Sequence, residues 1–234
     1  MQMADAISSV DAYVLAGGRG TRIKSVLGDI PKILAPIRGT PFLDLLLLRL
    51  QAQGLHRIIL GLGVGAEAVK AHLNGAGRIN LQIETVIEPH PLGTAGALRH
   101  AAAHFQSDPV LVMNGDTICD ADLDAMLIQH RRENAYITVA CAHVERTDRF
   151  GSILLDSDGS IKTFHEKSTT ATTSLVNAGL YMFSKEALRA LVDTDAMSLE
   201  SDFMPRAFDH RVRPFILKDT FFDFGIPEAY SQVS

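Results

Sequence analysis

The chain has 234 residues, 47% hydrophobic and 21% charged, which excludes disorder and collagen-like structure. A single domain of this size buries about 70% of its unfolded surface and needs no disulfide or metal staple. Its 22 Lys and Arg against 27 Asp and Glu give a net charge of −5, the wrong sign for a general nucleic-acid binder. Cys119 and Cys141 show no metal-ligand spacing and lie in apolar surroundings, so they read as buried reduced thiols. Residues 1–10 lack the basic flank and apolar run of a signal peptide. The leucine run at 45–48 is far short of the ~20 residues of a membrane span. A cytoplasmic protein without membrane partners is expected.

The first two-thirds alternates short apolar runs with helix-like stretches. Asp11 to Ala16 reads as a buried strand ending at Gly17-Gly18. Thr40 is placed to cap a helix with Pro41 in its first turn, Phe42, Leu45, Leu46 and Leu50 on one face, and Gly54 at its end. Arg57–Gly63, Leu81–Glu88 and Val110–Asn114 read as strands, and 66–73, 96–105 and 122–132 as helices. Continuous apolar strands alternating with helices predict a mainly parallel sheet covered on both faces. The pattern changes after Tyr136. Two short runs around Ser157-Asp158-Gly159 read as a hairpin. Leu175–Phe183 is another strand, 185–192 and 199–208 are helical, and 213–217 and 221–224 complete the pattern. No linker or internal repeat interrupts it. The expectation is one α/β domain over residues 1–234, Rossmann-like, with a mixed but mostly parallel sheet.

Leu15-Ala-Gly-Gly-Arg-Gly-Thr-Arg22 follows the first strand, where a doubly wound sheet binds ligands. Its glycines let successive N–H groups converge on phosphate oxygens. The dinucleotide pattern G-x-G-x-x-G fits Gly18 and Gly20 but fails at Ile23, and no Gly-Lys pair exists for a Walker A loop. Between Gly17 and Leu34, four cations (Arg19, Arg22, Lys24, Lys32) face one Asp29, a local charge of +3 in a protein of −5. Such a loop suits a polyphosphate. A tight turn with solvated basic residues is the plainer alternative.

Three other motifs fail on inspection. Asp120-Ala-Asp-Leu-Asp124 lacks the glycine and glutamate of a calcium loop, having Ala125 and Arg131 there, and reads as a helix N-terminus. His100 and His104 lack the glutamate of a zinc protease, and no G-x-S-x-G hydrolase elbow is present.

The glycine loop, followed by Pro31-Lys32, resembles the signature of sugar-1-phosphate nucleotidyltransferases. Five further segments resemble that family in the same order: Glu88-Pro-His-Pro-Leu-Gly-Thr-Ala-Gly96, Asn114-Gly-Asp116, Phe164-His-Glu-Lys167, Val176-Asn-Ala-Gly-Leu-Tyr181 and Phe222-Asp-Phe-Gly225. Within the family, residues 22–36 are most similar to the D-glycero-D-manno-heptose 1-phosphate guanylyltransferases.

The resemblance implies attack by a sugar 1-phosphate oxygen on the α-phosphorus of a nucleoside triphosphate, GTP on the closer match, with release of pyrophosphate. It implies Arg22, Lys32 and Asp116 as catalytic residues, Arg22 clamping the triphosphate and Lys32 stabilising the charge between the reacting phosphates. Leu15, Ala16, Gly17, Gly18, Gly20, Thr21, Glu88, Gly93 and Thr94 would surround the nucleotide. Asn114, Glu166, Lys167 and Asn177 would contact the sugar phosphate. Asp116 and Asp223 would hold Mg²⁺, the implied cofactor. The plainer alternatives are a helix cap for Asp116, a surface ion pair for Glu166–Lys167 and a strand-end polar residue for Asn177. Glu88 suits the N1–H and exocyclic amine of guanine, although carboxylates stand near this position in relatives using other bases. The resemblance divides the chain into a nucleotide-binding part, about 10–135, and a sugar-phosphate part, about 136–234, and allows a homo-oligomer. The competing readings are a UTP-, CTP- or dTTP-dependent relative and a non-catalytic nucleotide-sugar-binding regulator.

Overall fold

The computed structural model describes residues 6–18, 20–75, 80–144, 152–165, 174–207, 211–218, 221–223 and 227–231. In chain order the first half carries β1 (Asp11–Ala16), α1 (Lys24–Leu27), β2 (Pro36–Ile37), β3 (Thr40–Pro41), α2 (Phe42–Ala52), β4 (Arg57–Leu62), α3 (Ala66–Gly75) and β5 (Gln82–Ile87). Then come α4 (Gly93–Ala101), β6 (Val110–Asn114), β7 (Thr117–Cys119) and α5 (Leu123–Arg132). The second half carries β8 (Ile137–His143), β9 (Ser152–Leu155), β10 (Ile161–His165), β11 (Leu175–Phe183), α6 (Lys185–Val192), α7 (Met204–Ala207), β12 (Val212–Ile216), β13 (Phe221–Asp223) and α8 (Pro227–Tyr230).

Among the described residues nine strands form one sheet in the order β10-β9-β11-β6-β1-β4-β5, with β8 on the other side of β11 and β12 beyond it. Only β10 and β11 run against the rest, so the sheet is mixed and mostly parallel, as the sequence predicts. Side-chain alternation divides β1 between two cores. Ala12 and Val14 join the cluster covered by α2, α3 and α5. Tyr13 joins the one covered by α4, α6 and α7. Helices therefore lie on both faces.

Register fixes where the functional end lies. Ala16 of β1 is level with Leu62 of β4, Leu62 with Ile87 of β5, and Leu15 with Asn114 of β6. Four parallel strands thus end together, and the chain leaves them as Gly17, Gly63, Glu88 and Gly115-Asp116. The opposite ends close on charge: Arg57 pairs with Asp11 at 2.9 Å and with Glu84 at 2.7 Å. His104 also pairs with Glu84, and this contact, with Arg57, holds the Glu84 carboxyl below its usual range. His104 is thereby a structural partner. Cys119 and Cys141 are buried free thiols, and burial raises the Cys119 pKa to about 11.

Several boundaries differ from expectation. Thr40 is not a helix cap; it pairs with Ile37 across an Arg38-Gly39 turn, both turn residues at positive φ, and α2 begins at Phe42 after Pro41. The buried face of α2 is Phe42, Leu43, Leu46, Leu47 and Leu50, with Leu45 only half-buried. The stretch 137–143 is a strand, β8, where the sequence offered no assignment. The predicted 96–105 helix starts earlier, at Gly93, and gives way to a 3₁₀ turn at Ala102–His104. Leu199–Phe203 opens the last predicted helix as a π-helix.

One buried group gives the fold a measurable acid sensitivity. His130, 4% exposed, has Nδ1 2.8 Å from the Thr138 hydroxyl. Burial pushes its pKa down to about 4, opposed by Asp108 and assisted by Arg131. In the unfolded chain it titrates near 6.5. As pH falls from about 6.5 to 4, the unfolded state therefore takes up a proton that the native state does not, and stability falls by about 3 kcal/mol across that window. His130→Leu is expected to flatten the urea midpoint over this range; a slope equal to wild type would assign the loss to other groups.

Candidate active site

A cleft of about 360 Å³ opens where β1, β4, β5 and β6 end. Its rim is the glycine loop, its far wall is the start of α4, and its floor carries a charge pair. The Lys32 ammonium is hydrogen-bonded to Asp116 Oδ2, and the two side chains are only 18% and 28% exposed. Lys32 comes from the 3₁₀ turn after Pro31, and Asp116 from the turn between β6 and β7. A cation and a carboxylate are thus held together at the edge of a space that the glycine loop also lines.

Glu88 shapes the opposite side. Its Oε2 accepts from the Leu92 N–H at 3.0 Å, while Oε1 lies against Gly17, where any side chain would overlap it. Glycine at 17 therefore leaves space for this carboxylate. Gly93 begins α4 with φ +73°, pressed against the Met197 carbonyl, and the Ala95 N–H donates to that carbonyl at 2.9 Å. These contacts put the amino end of α4, with its partial positive charge, beside the cleft.

Of the residues singled out by sequence, the structure gathers eleven around this space: Leu15, Ala16, Gly17, Gly18, Gly20, Lys32, Glu88, Gly93, Thr94, Asn114 and Asp116. Thr21 and Arg22 stand exposed on the turn after Gly20 and do not line it. Asp223 ends β13, whose register places it opposite Thr117, the neighbour of Asp116. Asn177 lies in β11, its Oδ1 accepting from the Gly179 N–H at 2.9 Å. Glu166 and Lys167 lie outside the described residues.

The nucleotidyl transferase family profile matches residues 11–234. The chain belongs to the nucleotidyl transferase family. It is 31% identical to the D-glycero-alpha-D-manno-heptose 1-phosphate guanylyltransferase of Campylobacter jejuni over 94% of this chain and 97% of that protein. It is 32% identical to the mannose-1-phosphate guanylyltransferase of Mycobacterium tuberculosis over 96% of this chain, which spans 64% of that relative's length. The crystal structure of HddC from Yersinia pseudotuberculosis complexed with GMP-PN superposes with a TM-score of 0.84, at 35% identity, over 96% of this chain and 97% of that one. No described helix of this nucleotidyl transferase is long and apolar enough to cross a membrane.

The donor set of this nucleotidyl transferase can be tested for a metal. Among the described residues no three His, Cys, Asp or Glu side chains converge, so a resident all-protein cage is not what these residues build. Asp116 instead presents a partly exposed carboxylate whose Oδ1 accepts from the Thr117 hydroxyl at 3.3 Å. One or two carboxylates, with the shell completed by water and phosphate oxygens, is the arrangement that suits Mg²⁺. Sequence reasoning missed Glu200 and Tyr181, which connect Thr94 to Asn177 (below). Tyr181 stands within a segment that marks the family. Glu200 carried only a faint signal, the Ser198 cap whose hydroxyl accepts from the Ser201 N–H at 3.1 Å.

Proposed function

We propose that this chain is a sugar-1-phosphate guanylyltransferase that transfers GMP from GTP to a sugar 1-phosphate, best fitted by D-glycero-D-manno-heptose 1-phosphate, in the cytoplasm. The Lys32–Asp116 pair on the cleft floor carries the reading. A phosphate oxygen of the sugar attacks the α-phosphorus; the bond from that phosphorus to the bridging oxygen breaks, and pyrophosphate leaves with the electron pair. No protein nucleophile is needed, only preorganised charge. Lys32 holds positive charge against the oxygens that gain negative charge. Arg22, exposed and close in sequence to the rim glycines, clamps the triphosphate.

Leu15, Ala16, Gly17, Gly18, Gly20, Thr21, Gly93 and Thr94 surround the nucleotide, and Glu88 accepts from the guanine N1–H and amine. Its position is supported by the Leu92 N–H bond. Asn114, Glu166, Lys167 and Asn177 take the sugar phosphate. Asp116 and Asp223 would hold Mg²⁺, which when bound neutralises phosphate charge. Residues of about 10–135 thus serve the nucleotide, and 136–234 mainly the sugar.

Identity to the mycobacterial relative favours mannose 1-phosphate as the second candidate. The test is pyrophosphate release with GTP, UTP, CTP, dTTP or ATP, each paired with heptose, mannose, glucose or N-acetylglucosamine 1-phosphate. GTP is expected to exceed the other nucleotides by about 10²-fold or more in kcat/KM, since a site that hydrogen-bonds one base leaves polar groups unpaired with another. Turnover confined to UTP would overturn the base assignment, and turnover with mannose 1-phosphate alone would replace the heptose.

A further inference from the structure

Thr94, which lines the cleft, and Asn177 of β11 are joined through one carboxylate and one tyrosine. Glu200 Oε2 accepts from the Thr94 hydroxyl at 3.2 Å and the Ser198 hydroxyl at 3.1 Å. Its Oε1 accepts from the Tyr181 hydroxyl at 2.8 Å. The Tyr181 oxygen in turn accepts from Asn177 Nδ2 at 2.8 Å.

Proton accounting gives this chain a direction. Tyr181 has a single hydroxyl proton and donates it to Glu200, so towards Asn177 it can only accept. That fixes which way the amide faces: nitrogen to the tyrosine, oxygen to the Gly179 N–H. Within the described residues these contacts use one N–H and one lone pair of Asn177, leaving the others for a ligand.

Three further observations mark the arrangement as built. Tyr181 is fully buried, so its hydroxyl has no water to turn to, and burial with the Glu200 charge keeps it protonated. No described cation pairs with Glu200, whose charge rests on three hydroxyl donors. Glu200 also lies in the π-helix Leu199–Phe203, a rare element frequent at functional sites. Its first turn is tied by Asp202, which accepts from Met197 and Ser198 N–H at 3.0 and 2.9 Å.

We propose that Glu200 is a positioning residue for the sugar 1-phosphate: held by Thr94 and Ser198, it orients Tyr181, and Tyr181 orients the Asn177 amide. This rests on the guanylyltransferase reading of the cleft. The start of α4 does not depend on Glu200, because the Thr94 hydroxyl still accepts from the Leu199 N–H at 2.8 Å. Nucleotide binding is therefore spared while sugar binding is not.

The test is steady-state pyrophosphate release with GTP and heptose 1-phosphate, each varied in turn. Glu200→Gln and Tyr181→Phe are each expected to raise KM for the sugar phosphate about tenfold, the effect of one misdirected hydrogen bond, with KM for GTP within about twofold. Because they act through one chain, the double variant should be no worse than about twice the poorer single variant. A merely structural role would lower the melting temperature and leave both KM values in place. If Glu200→Gln does not fold, Tyr181→Phe, which deletes one oxygen, decides alone. Unchanged KM for the sugar phosphate in a folded variant, or an equal rise for GTP, overturns the proposal while wild-type turnover stands. If the wild type turns over mannose 1-phosphate in place of the heptose, the same measurement is made with that sugar; a wild type silent with GTP and every sugar 1-phosphate overturns the guanylyltransferase reading and this proposal together.

Discussion

Lys32→Ala is expected to lower kcat by about 10²–10³, the usual cost of removing one preorganised donor from developing negative charge. The side chain is mostly buried, and its ammonium is already fixed on Asp116 before substrate arrives. It therefore pays little reorganisation when the phosphates react. Lys32→Arg should recover only part of the loss, since a planar fork does not occupy the place of a compact ammonium. Pyrophosphate release under saturating GTP and sugar phosphate measures the effect, with circular dichroism to show that the fold persists. Full activity in Lys32→Ala would remove the residue from the chemistry.

Asp116→Asn should cost a comparable factor and also shift the Mg²⁺ concentration giving half-maximal rate upward. The amide keeps the volume but loses the charge that a hard cation requires. Asp223→Asn is expected to behave alike, because its strand pairs beside Asp116. Titrating activity with Mg²⁺ separates a metal effect from a general loss: wild-type Mg²⁺ dependence in both variants would remove the two carboxylates from the metal site. The Lys32→Ala/Asp116→Asn double variant should fall well short of the product of the single effects, as groups in direct contact do.

How far the sequence could be read depended on the distance over which each feature is encoded. Strands bounded by turn residues, such as Asp11–Ala16 before Gly17 and Leu175–Phe183, were legible to the residue. So was the helix N-terminus at Asp120–Asp124, where the structure shows the Asp122 carboxylate accepting from the Ala125 N–H at 2.9 Å. β8 was not, because Ile137–His143 is a nearly continuous apolar run with no glycine or proline at its borders. Thr40 misled because a hydroxyl followed by proline signals a helix start, yet the Arg38-Gly39 turn uses the same residues in a small hairpin. The rim glycines, Lys32, Glu88 and Asp116 were legible through motif and local charge. Glu200 was not, since its partners Thr94 and Tyr181 meet it only in the folded chain.

The pairing of β11 with β6 has a consequence for how the protein is made. Leu180–Phe183 lie along Val110–Met113, and among the described residues β8 pairs with β11 and β12 alone, so both earlier strands await residues synthesised after them. At about 5–20 residues per second, the ribosome leaves those edges open for seconds. During translation the nascent chain carries a half-finished sheet with unpaired backbone, the kind of surface that recruits other strands. Demand on chaperones should therefore peak before residue 183 emerges and fall once it can dock.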